Sequence, residues 1–244
     1  MHSLTVHELL DIWEKGTGRQ PVYHGLAMLA ALCPNASREQ LARLTIGERD
    51  SCLLKLRELT FGSQMTGLAT CSACGEKMEL KFSTSDIKDT REVERDEIEI
   101  ISFHGYELQF RLPNSIDLVS ISKCSDSEKA RDILLSRCIL LANYQGHDLS
   151  LEKLPSEVLD AVVTRMERID SQADVQLELI CSKCSHRWLM AFDITTFFWK
   201  EIDHWAKGLL QDVHVLATAY GWSEDDILEM SPRRRRIYLE MIGR

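Results

Sequence analysis

Two Cys-x-x-Cys pairs, Cys71/Cys74 and Cys181/Cys184, constrain this chain more than any other feature. A two-residue gap lets both sulfurs of a tight turn face one ion, at about 2.3 Å each for zinc. Four thiolates complete a tetrahedron and leave no position for water, so such a centre is structural. The pattern predicts one structural Zn2+ held by all four cysteines. Residues 75–180 separate the pairs, far more than a compact zinc finger spans, yet the flanks match. Ser follows the first Cys of each pair, Phe82 and Phe192 stand at the same offset beyond it, and a strand-like segment leaves each turn. Two related knuckles that meet as a split zinc ribbon account for this, with 83–174 inserted between the halves.

Three alternatives compete with a shared zinc site. A thioredoxin-like redox pair needs a helix starting at the cysteines, whereas strands follow here. Two separate metal sites need further ligands, and only His186 is near. Ordinary cysteines paired by chance are the third, but a doubled Cys-x-x-Cys is a specific pattern. The other four cysteines, Cys33, Cys52, Cys124 and Cys138, are irregularly spaced and read as small buried hydrophobes.

Around this centre the chain is 244 residues long with a net charge of −9, which suits a protein with a real core and repels nucleic acid away from any local basic patch. No apolar run reaches membrane-spanning length, and Met1–Trp13 lacks a signal-peptide pattern, so a cytoplasmic location is expected, or export only within an assembly. Capping-box pairs at Thr5/Glu8, Ser37/Gln40 and Thr45/Glu48 predict helix starts, the last helix ending at Phe61-Gly62. Alternation predicts strands over Met78–Phe82 and Trp188–Phe192, one over Val175–Leu179, and a hairpin from Glu97–Ile100 to Tyr106–Leu112 turning at His104-Gly105. The acidic stretch Arg91–Glu99 reads as a solvated edge. Ser125 with Glu128 predicts a helix through Leu141, and Pro155 opens another to about Ile169. Phe198, Ile202, Trp205, Leu209, Val213, Leu216 and Tyr220 form one apolar stripe on a long helix, roughly 28 residues or about 42 Å. That stripe packs on the chain's own core or receives a partner helix. Short helices follow Ser223 and Ser231-Pro232.

The expected architecture is α+β: a helical region 1–66, a zinc-ribbon β region 67–192 carrying the mixed insertion, and a helical region 193–244. No Walker loop, nucleophile elbow or His-Glu-x-x-His occurs, and no carboxylate has a recognisable acid–base partner. The chain reads as a non-enzyme. Arg233, Arg234, Arg235 and Arg236 fill the first turn of the last helix, where the helix dipole disfavours cations. Either the upstream Glu224, Asp225, Asp226 and Glu229 neutralise a solvated face, or the run binds a partner, with Ile237, Tyr238 and Met241 supplying apolar surface.

Three stretches carry a family resemblance. They are Ile46–Asp50 through Leu53–Gly62; Cys71-Ser72-Ala73-Cys74-Gly75-Glu76 with Leu80; and Leu216–Ser223 with Ile227-Leu228, Arg234-Arg235 and Tyr238-Leu239. Together they resemble the baseplate hub assembly chaperone family of contractile-tailed phages and phage-tail-like injection systems. The resemblance covers the front half to about Ile87 and the last fifty residues or so, but not 90–170. It implies a non-enzymatic factor that helps assemble, or forms part of, a tail baseplate, with tail or baseplate hub proteins as partners. The second knuckle departs from the first, since Ser185 stands where Gly75 relieves the turn. The rival function is a zinc-ribbon nucleic-acid-binding protein, with the arginine run on phosphates. The overall acidity opposes it.

Overall fold

A computed structural model describes residues 4–89 and 96–243. The chain opens with four helices: α1 (Val6–Gly16), α2 (Pro21–Leu32), α3 (Arg38–Arg43) and α4 (Ile46–Phe61). The expected capping boxes close α1, α3 and α4, with Thr5, Ser37 and Thr45 accepting from the third helical N–H while Glu8, Gln40 and Glu48 reach back. Gly62, at φ 87°, ends α4 in a conformation that an L side chain resists. The antiparallel hairpin β1 (Gln64–Thr70) and β2 (Lys77–Ser83) follows, then the single turn α5 (Thr84–Ile87).

The middle holds β3 (Glu99–Phe103), β4 (Tyr106–Phe110), α6 (Ser115–Ile121), α7 (Ser127–Cys138), β5 (Ile139–Tyr144), β6 (His147–Asp148) and α8 (Ser156–Ile169). Its four strands form one antiparallel sheet in sequence order. His104 (φ 48°) and Gly105 (φ 83°) make the two-residue turn between β3 and β4 where the sequence placed it. A second hairpin, β7 (Val175–Ile180) and β8 (Arg187–Phe192), leads into α9 (Ile194–Tyr220), α10 (Glu224–Leu228) and α11 (Pro232–Met241). The described residues thus form a mixed α/β protein of eleven α-helices and three small sheets.

Two expectations are corrected. The helix expected to reach Leu141 begins after Asp126, which caps it, and stops at Cys138. Residues 139–144 pair with β4 instead, because Ile139 and Ala142 then bury opposite Phe110 and Leu108. In the acidic stretch, residues 91–95 lie outside the described residues, and Glu99 is not solvated. It is buried on the inner face of β3, accepting from Arg165 at 3.1 Å and from the Asp96 N–H at 3.2 Å.

Three apolar clusters hold the chain together. The first joins α1 to α4 with the front half of α9, around Met28, Leu29, Leu53, Leu56 and Phe198. The second draws on the middle alone, with Leu108, Phe110, Cys138, Val162 and Ile169. The third joins α1 to the rear of α9 and α10 through Leu10, Leu209, Leu216 and Ile227. The α9 stripe is therefore covered by the chain's own helices: Phe198, Ile202, Leu209, Val213 and Leu216 are buried, while Trp205 is half-buried and Tyr220 exposed. Cys138 is buried, and burial pushes its thiol up to about 11, in line with a packing role.

Buried polar links set the hairpins on this frame. Arg57 of α4 grips Glu201 of α9 with two bonds of 2.9 and 2.6 Å and donates to the Gly62 carbonyl at 2.6 Å, which also satisfies the helix end. Gln172 accepts from the Asp89 N–H at 2.7 Å and donates to the Ile87 carbonyl at 3.2 Å, and Ser171 bonds Asp89. The chain thus leaves and re-enters the hairpin region at one point. Asp170, beside them, accepts from the Gly47 N–H at 3.0 Å. A Cβ at Gly47 would stand 2.7 Å from the Asp170 Cγ and closer still to its Oδ1. Gly47 is the second residue of α4, where Ala gains less over Gly than the roughly 1 kcal/mol of a helix interior, and displacing a buried carboxylate costs more. Gly47→Ala is expected to lower stability by about 2 kcal/mol net, read as a drop in the urea midpoint at unchanged slope.

Candidate metal centre

Each cysteine pair sits on the turn of a hairpin, Cys71/Cys74 between β1 and β2 and Cys181/Cys184 between β7 and β8. The two turns are built alike. Cys71 N–H donates to the Glu76 carbonyl at 2.8 Å and Gly75 N–H to the Cys71 carbonyl at 2.9 Å; Cys181 N–H donates to His186 and Ser185 N–H to Cys181, both at 2.9 Å. Ser185 adopts φ 59°, close to the 73° of Gly75. The substitution therefore keeps the turn, at the strain of a non-glycine residue in the left-handed region.

The turns bring all four sulfurs within 4.8 Å of one another. Cys71 Sγ lies 3.7 Å from Cys184 Sγ, and Cys74 Sγ 3.6 Å from Cys181 Sγ. A disulfide needs about 2.05 Å. A tetrahedron of thiolates at zinc–sulfur distances of about 2.3 Å has edges of about 3.8 Å. The cluster thus fits one thiophilic cation, and these four residues could hold it. Cys71 and Cys181 are buried while Cys74 and Cys184 are exposed, so the centre lies at the surface with its back to the protein.

Backbone N–H groups turn toward the sulfurs. In Cys181 the N–H of Cys184 leads the influences that draw the thiol down to about 7. Cys74, despite the Glu76 N–H beside it, is pushed up to about 12 by the partial loss of water around its sulfur and by the neighbouring sulfurs of Cys184, Cys181 and Cys71. Thiolates this close repel one another unless a cation lies between them. The knuckles are also joined outside the sulfurs: Ser72 Oγ lies 3.2 Å from His186 Nε2, and Lys183 pairs with Glu76 at 3.1 Å. His186 is thus a neighbour across the knuckles, outside the four-sulfur group.

Behind the turns Phe82 and Phe192, at matching offsets in the two hairpins, meet edge to face at 5.5 Å, with Phe197 of α9 against both. Each hairpin is followed by a helix whose cap stands at the same offset from its first cysteine, Ser83 for α5 and Asp193 for α9. The likeness of the flanks therefore extends from the turns into hairpin-plus-helix units.

The arginine run is elsewhere. It opens α11, which packs on α9, and three of its members, Arg233, Arg234 and Arg236, are exposed. Arg235 turns inward. It is buried and donates to the Met230 carbonyl at 2.7 Å and, more weakly, to those of Ile227 and Leu228, closing the end of α10. Tyr238 is half-buried against Trp222 at 4.8 Å, with Arg234 over its ring at 5.8 Å. Arg57, Asp117, Asp170 and Gln172 had no signal in the sequence, since each looks like an ordinary surface polar residue until its partner is known.

Fold and centre together define a mixed α/β scaffold whose two hairpins meet at a four-cysteine cluster able to hold a metal ion. The chain belongs to the family described as T4 bacteriophage base plate protein, whose model matches residues 26–199. No curated protein and no solved structure matches it. The match runs through residues 90–170, where the sequence offered no resemblance, and ends before the Tyr-Gly-Trp-Ser turn at 220–223.

Proposed function

We propose that the chain is a non-enzymatic assembly chaperone or minor structural component of a contractile phage-tail-like baseplate, built round a structural Zn2+. The family match over residues 26–199 carries this reading, and that span includes both cysteine pairs. Cys71, Cys74, Cys181 and Cys184 would hold the ion as a split zinc ribbon. When bound, it supplies a closed crosslink with no open position for a substrate. The chain's own part is to present surface, from helical regions 1–66 and 193–244 and from ribbon region 67–192 with the inserted segment 83–174 carried between its halves.

Partners are tail or baseplate hub proteins, met during assembly in the cytoplasm or in the finished particle. No helix among the described residues is long and apolar enough to cross a membrane. A net charge of −9 works against a nucleic-acid role. The test is native purification of the tagged full-length chain from its own cells, with a moderate salt wash. Tail or baseplate proteins are the expected companions. Nucleic acid or transcription proteins, with no tail component, would overturn the reading.

A further inference from the structure

The outward face of α11 combines arginines with exposed apolar side chains. At 100° per residue, Arg233, Ile237 and Met241 follow one line along the helix, with Arg236 on one flank and Arg234 on the other. Ile237 is 43% exposed and Met241 68%. The opposite face is used up, since Arg235 caps α10 and Tyr238 and Leu239 pack on the third cluster.

Solvation alone explains this face poorly. The acidic residues expected to neutralise the run do other work or stand apart: Asp226 accepts from Ser223 in the α10 capping box, and among the described residues no ion pair joins Glu224, Asp225, Asp226 or Glu229 to an arginine. Glu240 also lies on this face, without an ion pair to Arg236 among those residues. Arg234 lies over the Tyr238 ring, which leaves Arg233 in the first helical turn, where the dipole disfavours a cation, and Arg236 just beyond it without an ion pair among the described residues.

We infer that this face docks an acidic amphipathic helix of a partner tail protein, the arginines meeting its carboxylates and Ile237 and Met241 its apolar stripe. The identification of the partner as a tail protein rests on the baseplate reading above. Charge complementarity selects the occupant. On a chain of net charge −9 this run of arginines is a local reversal of sign, and such a patch steers an acidic partner toward itself. Nucleic acid fits less well, because phosphates give Ile237 and Met241 nothing to pack on.

The test places a photo-crosslinking residue at Met241 of the full-length chain, in cells that produce the tail particle. The same cells are used with Arg233→Glu, Arg234→Glu and Arg236→Glu together. Two of those changes put acids into the first helical turn, which the dipole favours, and the third lies just beyond it, so α11 should still form. Circular dichroism and melting of the purified variant verify that. The expected result is a crosslink to a tail-protein segment with Asp or Glu beside apolar residues, its yield falling at least tenfold on charge reversal. A crosslink to nucleic acid, to a segment without acidic residues or to a second copy of this chain would overturn the inference. So would a yield unchanged by charge reversal, or no crosslink from a chain that still sediments with tail particles. In those cases the baseplate reading stands if the chain sediments with the particles. A chain that neither sediments with them nor crosslinks to a tail protein overturns both.

Discussion

Stripping metal from the Cys71/Cys74/Cys181/Cys184 centre is expected to melt the two hairpins and lower the thermal midpoint of the chain by at least about 10 °C. Each hairpin alone is a two-stranded ribbon, which is marginal in water. The sulfurs stand at a spacing that a shared metal ion would fit, and without a cation their thiolates repel. Metal binding contributes roughly 10–16 kcal/mol to zinc-finger peptides at neutral pH, as much as the whole stability of a typical domain. At the turns themselves the remaining cross-knuckle contacts, Ser72 to His186 and Lys183 to Glu76, are exposed and offer little in compensation, so only the Phe82–Phe192–Phe197 contacts farther back still join the hairpins. Calorimetry with and without a strong chelator reads the effect, and Cys74→Ser should reproduce it. Hydrogen exchange adds a spatial check. Amides of β1, β2, β7 and β8 should lose protection, while those of β4 and α8, around the middle cluster, keep theirs. Equal melting in both conditions would mean the cluster is packed thiols and nothing more.

Asp117→Ala is the second large effect, at about 3–5 kcal/mol, the usual cost of breaking a buried ion pair on one side. Asp117 is fully buried. It accepts two bonds from Arg111, at 2.7 and 3.0 Å, one from Arg137 at 2.8 Å and one from the Asn114 N–H at 3.0 Å. It thereby fixes the end of β4, the start of α6 and the end of α7. Burial by itself would raise this carboxyl, but the bonds from Arg111 and Arg137 outweigh it and hold it below the usual carboxylate range. A depressed carboxyl stabilises the fold above its unfolded pKa, and that contribution disappears as pH falls through the folded one. Urea unfolding should therefore show the full gap between wild type and variant at pH 7, closing below about pH 4. A gap independent of pH would mean that packing, not charge, carries the role of Asp117.

What the sequence revealed was what depends on local pattern. Helix starts at Thr5, Ser37, Thr45 and Ser223, the stop at Gly62 and the turn at His104-Gly105 each follow from a few adjacent residues, and the structure places them accordingly. The four-cysteine cluster was legible for the same reason, being two local motifs repeated. Residues 139–144 were misread because an apolar run after a helix suits either structure, and only β4 beside it decides. Arg235 was misplaced for a related reason. In a run of four identical side chains, nothing local distinguishes the one that turns inward to the α10 carbonyls. Glu99 and Arg165 are far apart in the chain, and each alone resembles a solvated charge.

The separation of the two knuckles has a consequence for the order of events at the ribosome. Cys71 and Cys74 emerge early, but their cluster cannot be completed until Cys184 is free of the exit tunnel. In the interval, residues 101–169 can condense on a cluster drawn wholly from their own side chains. The long loop between the cysteines is then already compacted, with its two ends drawn together by Gln172 and Asp89. Closing it late costs far less chain entropy than joining two ends of a random coil. Assembly of the four sulfurs therefore comes after the middle has had time to fold, and a chain truncated before Cys181 carries only one pair.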